Sequence, residues 1–212
     1  MHVVETERVD AFLAIDPSRV AVVLVDFQND FCEPGAFGID PPNNTANATT
    51  AQHANEFAHA ASRYGTKTIY TRQVVDLSQL DHRQRRWEED STLCRAGTRG
   101  AELFVAPVPG SVVVDKSRFD IWQSAAFTSA LAALEVDALV IGGVELQCCV
   151  LYAVLGASER GYHYVVPQDL VSGLDSCDAT SNRAVRDFLH HVHPSPSSAD
   201  LLAAWAARAE RT

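Results

Sequence analysis

Short apolar runs rich in β-branched residues recur along the chain and stop abruptly at polar residues, glycine or proline. They span residues 20–25, 68–70, 112–114, 138–141 and 162–166. Near-continuous apolar runs of this length are typical of parallel strands that are covered on both faces. The pattern predicts buried strands whose carboxyl ends lie at one functional edge of a sheet.

Between these runs lie segments whose composition favours helices. They span 46–64, 124–135, 149–160, 179–191 and 199–208, and a glycine follows the first and the third of them, as is common at helix ends. Strands that alternate with helices predict an α/β fold, a three-layer, doubly wound, Rossmann-like parallel sheet. Ligands of such sheets bind beyond the carboxyl ends of the strands.

The length of the chain predicts a single domain over residues 1–212, because one hydrophobic core can stabilise a chain of this size. Residues 1–19 precede the first strand, and we interpret them as an N-terminal arm. Residues 73–111 show little periodicity, which indicates a long loop region with short helical pieces. We interpret this region as a lid over the edge of the sheet.

The acidic balance of the chain argues against several classes of partner. There are 17 basic and 27 acidic residues, for a formal net charge of −10, so no surplus cations are available for nucleic acid or an anionic membrane. No apolar run approaches the roughly 20 residues of a membrane span, and the N-terminus lacks a signal-peptide pattern. The five scattered cysteines favour a reducing compartment. We therefore expect a cytoplasmic protein that acts on a small molecule.

The first candidate for chemistry is Cys149, which follows Gly142-Gly143 where a predicted strand passes into a predicted helix. The unpaired amide groups and the dipole at a helix start favour a thiolate. The alternative is that Cys148 and Cys149 are only small buried hydrophobic residues.

Two charged residues at other strand ends strengthen the case for Cys149. Asp26 ends the first apolar run and Lys116 closely follows the third. Asp26 could instead cap a turn, and Lys116 could lie at an exposed strand end. Moving a proton from a thiol to an aspartate is uphill by about 6 kcal/mol at their ordinary pKa values. A nearby ammonium group reduces that difference, which explains why the third member would be a cation.

Three segments carry a family resemblance: Val25-Asp26-Phe27-Gln28-Asn29-Asp30-Phe31, Val113-Val114-Asp115-Lys116-Ser117-Arg118-Phe119, and Gly142-Gly143-Val144 with Cys149-Val150 and Gly161-Tyr162. Together they resemble the isochorismatase-like cysteine hydrolases. That family includes nicotinamidases, N-carbamoylsarcosine amidohydrolases, ureidoacrylate and biuret hydrolases, and isochorismatases.

The resemblance implies a six-stranded parallel sheet and a catalytic triad of Asp26, Lys116 and Cys149. It also implies a cis peptide between Val144 and Glu145, with the amides of Glu145 and Cys149 forming an oxyanion hole. The expected reaction is hydrolysis of a small non-peptide amide or ureido bond through an acyl-enzyme on Cys149, without a cofactor. Members commonly form dimers or tetramers, so a homodimer or homotetramer is expected.

Some positions depart from the family pattern. Leu146 stands where threonine is usual, and Gly156 stands where the nucleophile helix usually has an aspartate. Nicotinamidases carry an Asp-x-His pair and a further histidine as metal ligands, but the segment from Thr71 to Asp76 lacks them, and His82 alone cannot complete a site. We therefore predict no catalytic metal and disfavour nicotinamide as the substrate. The histidines at 190, 191 and 193 are interpreted as a polar helix end that runs into a short strand, in preference to a zinc site.

Candidates for substrate binding are side chains near the same strand ends or in the lid. They are Gln28, Phe31, Arg72, Trp87, Arg118 and Trp122, with the arginines available for a carboxylate. Two alternatives to the amidase function stay open. One is vinyl ether hydrolysis of isochorismate, which needs the acid but not the thiol, and the other is a catalytically silent scaffold protein.

Overall fold

A computed structural model describes residues 2–35, 45–173 and 179–211. The strands are β1 (Val20–Val25), β2 (Lys67–Gln73), β3 (Val112–Lys116), β4 (Ala138–Gly143) and β5 (His163–Val165). The α-helices are α1 (His2–Leu13), α2 (Asn29–Cys32), α3 (Thr45–Ser62), α4 (His82–Glu88), α5 (Ala125–Ala133), α6 (Leu151–Glu159), α7 (Ala179–Val192) and α8 (Ser198–Ala209). A π-helical turn, Leu146–Val150, connects β4 to α6.

The strands form one parallel sheet in the order β3-β2-β1-β4-β5. The predicted α/β parallel fold is therefore confirmed, whereas the expectation of six strands is wrong for the described residues, which contain five. Directly after β5, the Val166 amide donates to the Pro194 carbonyl at 2.8 Å. Pro194 and Pro196 lack an N–H, so neither residue can donate to a strand ladder.

Alternate residues of the central strand β1 supply the two halves of the core. Val20, Val22 and Leu24 pack in a cluster that includes Phe12 of α1 and Trp205 of α8. Ala21, Val23 and Val25 belong to the opposite cluster, together with residues of α5 and α6. This alternation confirms a sheet covered on both faces, because successive side chains of a strand point to opposite sides.

The region before β1 and the region between β2 and β3 contain more helix than their composition suggests. Residues 2–13, in the predicted arm, form α1. The predicted lid contains α4, which has a capping box between Asp81 and Gln84 and no buried residue. Within the described residues, no helix is both long and apolar enough to span a membrane.

Candidate active site

The carboxyl ends of three strands bring Asp26, Lys116 and Cys149 into contact. Asp26 follows β1, Lys116 ends β3, and Cys149 lies in the turn after β4. The Lys116 Nζ atom is 2.6 Å from Asp26 Oδ2 and 3.5 Å from Cys149 Sγ. Lys116 also donates a hydrogen bond of 2.9 Å to the carbonyl of Arg118. An acid, an ammonium group and a thiol therefore share one small volume at the edge predicted from the sequence.

The three groups are shielded from solvent. Their exposed fractions are 0% for Asp26, 5% for Lys116 and 3% for Cys149. Burial opposes the charged form of Lys116, but the Asp26 carboxylate and the Cys149 sulfur offset it, so the pKa of Lys116 is raised. The lysine therefore remains an ammonium group at neutral pH, as required of a permanent counter-charge.

The environment of Cys149 differs from the expectation of a thiolate favoured by a helix start. Burial is the largest influence and the Asp26 charge the next, and together they outweigh Lys116 and raise the pKa of the Cys149 thiol well above its ordinary value. Cys149 also lies in the π-helical turn Leu146–Val150, before the first residue of α6. In the resting site the proton therefore stays on sulfur, because desolvation disfavours the anion.

Two polar residues of β2 that are not among the predicted site residues also contact the three groups. Thr71 Oγ1 donates to Asp26 Oδ1 at 2.7 Å, and the Cys149 thiol lies 3.8 Å from Gln73 Oε1. The period-two alternation of a strand places Thr71 and Gln73 on one face and Arg72 on the other. That alternation was the available signal, and it favours Thr71 and Gln73 over Arg72.

The turn that carries Cys149 begins at the cis peptide between Val144 and Glu145, which agrees with the family resemblance. The Glu145 carbonyl accepts hydrogen bonds from the amides of Cys148, at 3.0 Å, and Val150, at 3.3 Å. Leu146 is fully buried, and its amide donates to the Ser172 carbonyl at 2.8 Å. These contacts fix the backbone on both sides of the nucleophile.

Three of the predicted substrate-binding residues are buried in the protein interior. The Gln28 side chain donates to the carbonyls of Gln73 and Ala101 and accepts from the Gln73 amide, at 2.7 to 2.9 Å. Gln28 therefore ties the lid to the end of β2, and the interpretation of its amide as a substrate ligand finds no support in this arrangement. Phe31 belongs to the hydrophobic core.

Trp122 is also a packing residue, and it explains the unusual Gly156. The Trp122 indole N–H donates to the Ala153 carbonyl at 3.0 Å. A Cβ atom on residue 156 would lie 2.0 Å from Trp122 Cδ1, so no larger residue fits beside the ring. The Trp122 indole therefore occupies the space that a side chain at position 156 would fill.

The other three candidates lie nearer the surface. Arg72 pairs with Asp115 at 2.7 Å, and Arg118 pairs with Glu88 of α4 at 3.0 Å. Trp87, also on α4, is 81% exposed. Both arginines are therefore already paired with carboxylates, and Trp87 does not cover the three buried groups.

A polar cavity of about 490 Å³ opens next to Lys116. Its walls include Arg118, Gln79, Gln84 and Gln123, so side chains of the predicted lid form one side of it. The cavity combines these amide donors and acceptors with apolar wall surface, which is compatible with a small ligand that carries polar groups.

The histidines show no grouping of metal ligands in the part of the chain that the structure describes. No three histidine, cysteine, aspartate or glutamate side chains within residues 2–35, 45–173 and 179–211 lie close enough together to hold an ion. His193 instead shares a hydrogen bond of 2.5 Å with the Tyr164 hydroxyl. A reaction without a metal stays a prediction, which activity assays after chelation would test.

Comparisons with known proteins agree with the fold. The family model described as "Isochorismatase domain" matches residues 20–192. An N-carbamoylsarcosine amidase from Arthrobacter sp. is 24% identical over 161 residues, which are 73% of this chain and 60% of that protein. The chain thus spans about 60% of the length of this curated relative.

Solved structures extend the similarity to the tertiary level. A cysteine hydrolase from Pseudomonas syringae pv. phaseolicola has a TM-score of 0.79 at 21% identity, over 91% of this chain and 95% of that one. An N-carbamoylsarcosine amidase from Thermoplasma acidophilum has a TM-score of 0.66 at 21% identity, over 85% and 96%. A nicotinamidase from Bacillus subtilis has a TM-score of 0.67 at 15% identity, over 84% and 98%. Because the family model covers most of its length, this chain belongs to the isochorismatase family of hydrolases.

Proposed function

We propose that this hydrolase cleaves a small non-peptide amide or ureido C–N bond with Cys149 as its nucleophile, Asp26 as its acid and base, and Lys116 as a fixed counter-charge. The observation that carries the proposal is the position of Lys116 Nζ, in contact with both Asp26 Oδ2 and Cys149 Sγ. This arrangement stabilises one negative charge on either partner, so a proton can move between them without a change of total charge.

Proton transfer from the thiol is the step that the site must make accessible. At ordinary pKa values it is uphill by about 6 kcal/mol. Burial raises the pKa of the Cys149 thiol further in the resting site. The transfer therefore depends on Lys116, which stabilises the thiolate once it forms, and on the bond that the sulfur then makes to the substrate carbon. The Thr71 hydroxyl orients Asp26 through its hydrogen bond to Oδ1, which leaves Oδ2 on the side of the lysine.

In the acylation step, Asp26 takes the thiol proton and the Cys149 sulfur forms a bond to the substrate carbonyl carbon. The carbonyl oxygen becomes an oxyanion, for which the amides of Glu145 and Cys149 are the proposed donors. When the C–N bond breaks, Asp26 passes its proton to the departing nitrogen, which leaves as ammonia or an amine. The product on the enzyme is a thioester or a thiocarbamate.

Hydrolysis returns the site to its starting state. Asp26 takes a proton from a water molecule, whose oxygen attacks the carbonyl carbon of the acyl-enzyme. The C–S bond then breaks, and Asp26 returns the proton to the Cys149 sulfur. Lys116 keeps its charge throughout, as expected from its raised pKa.

Ammonia release across carboxamides, ureido acids and biuret-like compounds is the test. With a substrate that is turned over, Cys149→Ala is expected to lower kcat by about 10⁴-fold or more. The matched control is Cys148→Ala, which removes the adjacent, half-buried thiol and is expected to leave kcat within about threefold.

Other outcomes select the alternatives. Turnover that survives in Cys149→Ala would contradict the thiol mechanism and favour vinyl ether hydrolysis, which uses Asp26 as an acid. Absence of turnover with every compound in both the wild-type protein and the variants would favour a catalytically silent scaffold.

A further inference from the structure

The turn that carries the nucleophile is attached to the opposite side of the sheet by a buried carboxylate that the proposed chemistry does not use. Glu145, at the start of this turn, is 6% exposed. Its Oε1 atom accepts a hydrogen bond of 2.6 Å from the Nδ2 atom of Asn47, in the first turn of α3. The two residues are 98 positions apart, so the contact depends on tertiary packing.

Asn47 is arranged as a donor between two acceptors. It is fully buried, and its Nδ2 atom donates both to Glu145 and, at 2.9 Å, to the Phe31 carbonyl. The Asn47 Oδ1 atom has no hydrogen-bonding partner among the residues that the structure describes. A buried polar atom without a partner is unfavourable, which indicates that this orientation of the amide is held by the two bonds on the nitrogen side.

The carboxylate lies on the α2 side of the sheet. Asn47 Nδ2 joins Glu145 Oε1 to the carbonyl of Phe31 in α2, and the same charge contributes, after burial itself, to the raised pKa of the Cys32 thiol. Cys149 instead belongs to the core cluster on the other face. The Glu145 carbonyl accepts from the amides of Cys148 and Val150, on either side of Cys149, so the backbone of Glu145 links its side chain to the nucleophile turn.

We infer that Glu145 is a positioning residue, which anchors the nucleophile turn to α3 through Asn47 and so holds the Cys149 sulfur in contact with Lys116. This inference rests on the proposed function, because it assumes that the sulfur reacts. The bond requires an acceptor at position 145 rather than a charge, since the Asn47 nitrogen is the donor.

The test compares variants that break this bond with one that keeps it. Glu145→Ala and Asn47→Ser remove the bond from its two sides, and each is expected to lower kcat at least tenfold with KM changed less than threefold. Glu145→Gln retains an oxygen acceptor for Asn47, and it is expected to recover most of the kcat that Glu145→Ala loses. The double variant Glu145→Ala/Asn47→Ser should be no slower than the slower single variant, because both act through one contact.

A second measurement needs no substrate. The rate of Cys149 alkylation by iodoacetamide, followed by mass spectrometry well below the unfolding transition, is expected to rise at least fivefold in Glu145→Ala, where the sulfur is no longer held in its buried place. Asn47→Ser provides the same measurement if Glu145→Ala does not fold. The control is Asn55→Ala, also on α3, which removes hydrogen bonds to Tyr70 and Ala106 and is expected to leave alkylation and kcat unchanged.

Unchanged kcat and unchanged alkylation in folded Glu145→Ala or Asn47→Ser would overturn the inference, even if thermal stability falls. An equal loss in Asn55→Ala would also overturn it, because the effect would then come from general loosening of α3. Failure of the proposed function is distinct: it would appear as turnover that persists in Cys149→Ala, whatever the alkylation rates of the Glu145 variants.

Discussion

Two regions of this protein bring together an acid, a basic side chain and a residue of the nucleophile type. At the carboxyl edge of the sheet these are Asp26, Lys116 and Cys149. At the N-terminus of helix α8, the acid is Asp169, the basic side chain is His53 and the residue of the nucleophile type is Ser198. His53 Nε2 is 3.1 Å from Asp169 Oδ2 and 3.2 Å from Ser198 Oγ, so by residue type and distance the second group looks like a serine hydrolase site.

The direction of the hydrogen bonds separates the two regions. Ser198 Oγ donates to Asp169 Oδ2 at 2.5 Å, and the Ser198 amide donates to Asp169 as well. Asp169 therefore accepts hydrogen bonds from the Ser198 hydroxyl and from the first amide of α8, which adds a cap to the one that Ser197 provides. An activated serine would instead donate to the histidine.

Exposure also differs between the two regions. The side chains of His53 and Asp169 are 46% and 37% exposed, whereas Asp26, Lys116 and Cys149 are almost completely buried. Water screens charges and competes for hydrogen bonds at the exposed group. The comparison shows that residue types and short distances are insufficient, and that donor direction and exclusion of water decide which cluster can carry chemistry.

The largest contrast is expected from removing each acid's charge. Asp26→Asn should lower kcat by about 10³- to 10⁴-fold, because the thiol loses its proton acceptor. Asp169→Asn should leave kcat within twofold and lower the free energy of unfolding by no more than about 1 kcal/mol, because asparagine keeps an oxygen acceptor for Ser198 and loses only the charge. Steady-state kinetics with urea titrations of both variants measure these effects. A kinetic loss in Asp169→Asn larger than tenfold would contradict the distinction.

Removing the basic group should lower the free energy of unfolding more at the carboxyl edge of the sheet than in the cluster at Ser198. Lys116→Met leaves the Asp26 carboxylate buried without its counter-charge, and a broken buried pair typically lowers the free energy of unfolding by about 3–5 kcal/mol. His53→Gln removes a partly exposed pair, for which a loss of no more than about 1 kcal/mol is expected. Urea unfolding at pH 7 compares them, and equal losses would show that the burial difference has no energetic consequence.

The alkylation rates of the two thiols after β4, Cys148 and Cys149, extend the comparison to the nucleophile. Because burial raises the pKa of the Cys149 thiol, iodoacetamide should label Cys149 at least tenfold more slowly at pH 7 than it labels a free thiol. The rate should rise as the pH increases. Mass spectrometry of peptides containing Cys148 and Cys149 distinguishes the sites. Labelling of Cys149 faster than a free thiol at pH 7 would mean that the thiolate is favoured in the resting enzyme.

The smallest effect is the pH dependence of the Asp169 cap. Burial would raise the pKa of Asp169, but hydrogen bonds from Ser198 and His53 outweigh it, and the pKa is lowered from 3.8. A carboxyl group whose pKa is lower in the folded state stabilises the fold. This stabilisation is fully present above the pKa of the unfolded state and is lost as the pH falls through the pKa of the folded state. The stability difference between wild type and Asp169→Asn should therefore be constant near neutral pH and disappear in acid. A difference that grows on acidification would contradict this assignment.

The sequence predicted the sheet well but the environment of the site less well. The run that became β1 was predicted with its observed bounds, Val20–Val25, because a fully buried central strand is apolar at every position. The family resemblance implied six strands, whereas the described residues form five. The charge of Arg72 predicts a ligand-binding role, whereas strand alternation places Thr71 and Gln73 beside Asp26 and Cys149.

Gln28 and Trp122 show which contacts the sequence pattern does not reveal. Both have side chains that often bind ligands, and both lie near the reacting groups in sequence. In the structure their polar atoms bind backbone carbonyls of Gln73, Ala101 and Ala153. The sequence contains no local sign of these partners, since they are 31 to 73 positions away.

The sequence by itself determined which groups are available and at which strand ends they lie: a carboxylate after β1, an ammonium group at the end of β3 and a thiol after β4. Only the tertiary structure decided the protonation of that thiol, the attachment of Glu145 to Asn47, and the capping role of the cluster at Ser198. The reason is physical. Strand ends follow from local patterns of apolar residues, whereas desolvation and hydrogen-bond direction depend on atoms that distant segments of the chain bring together.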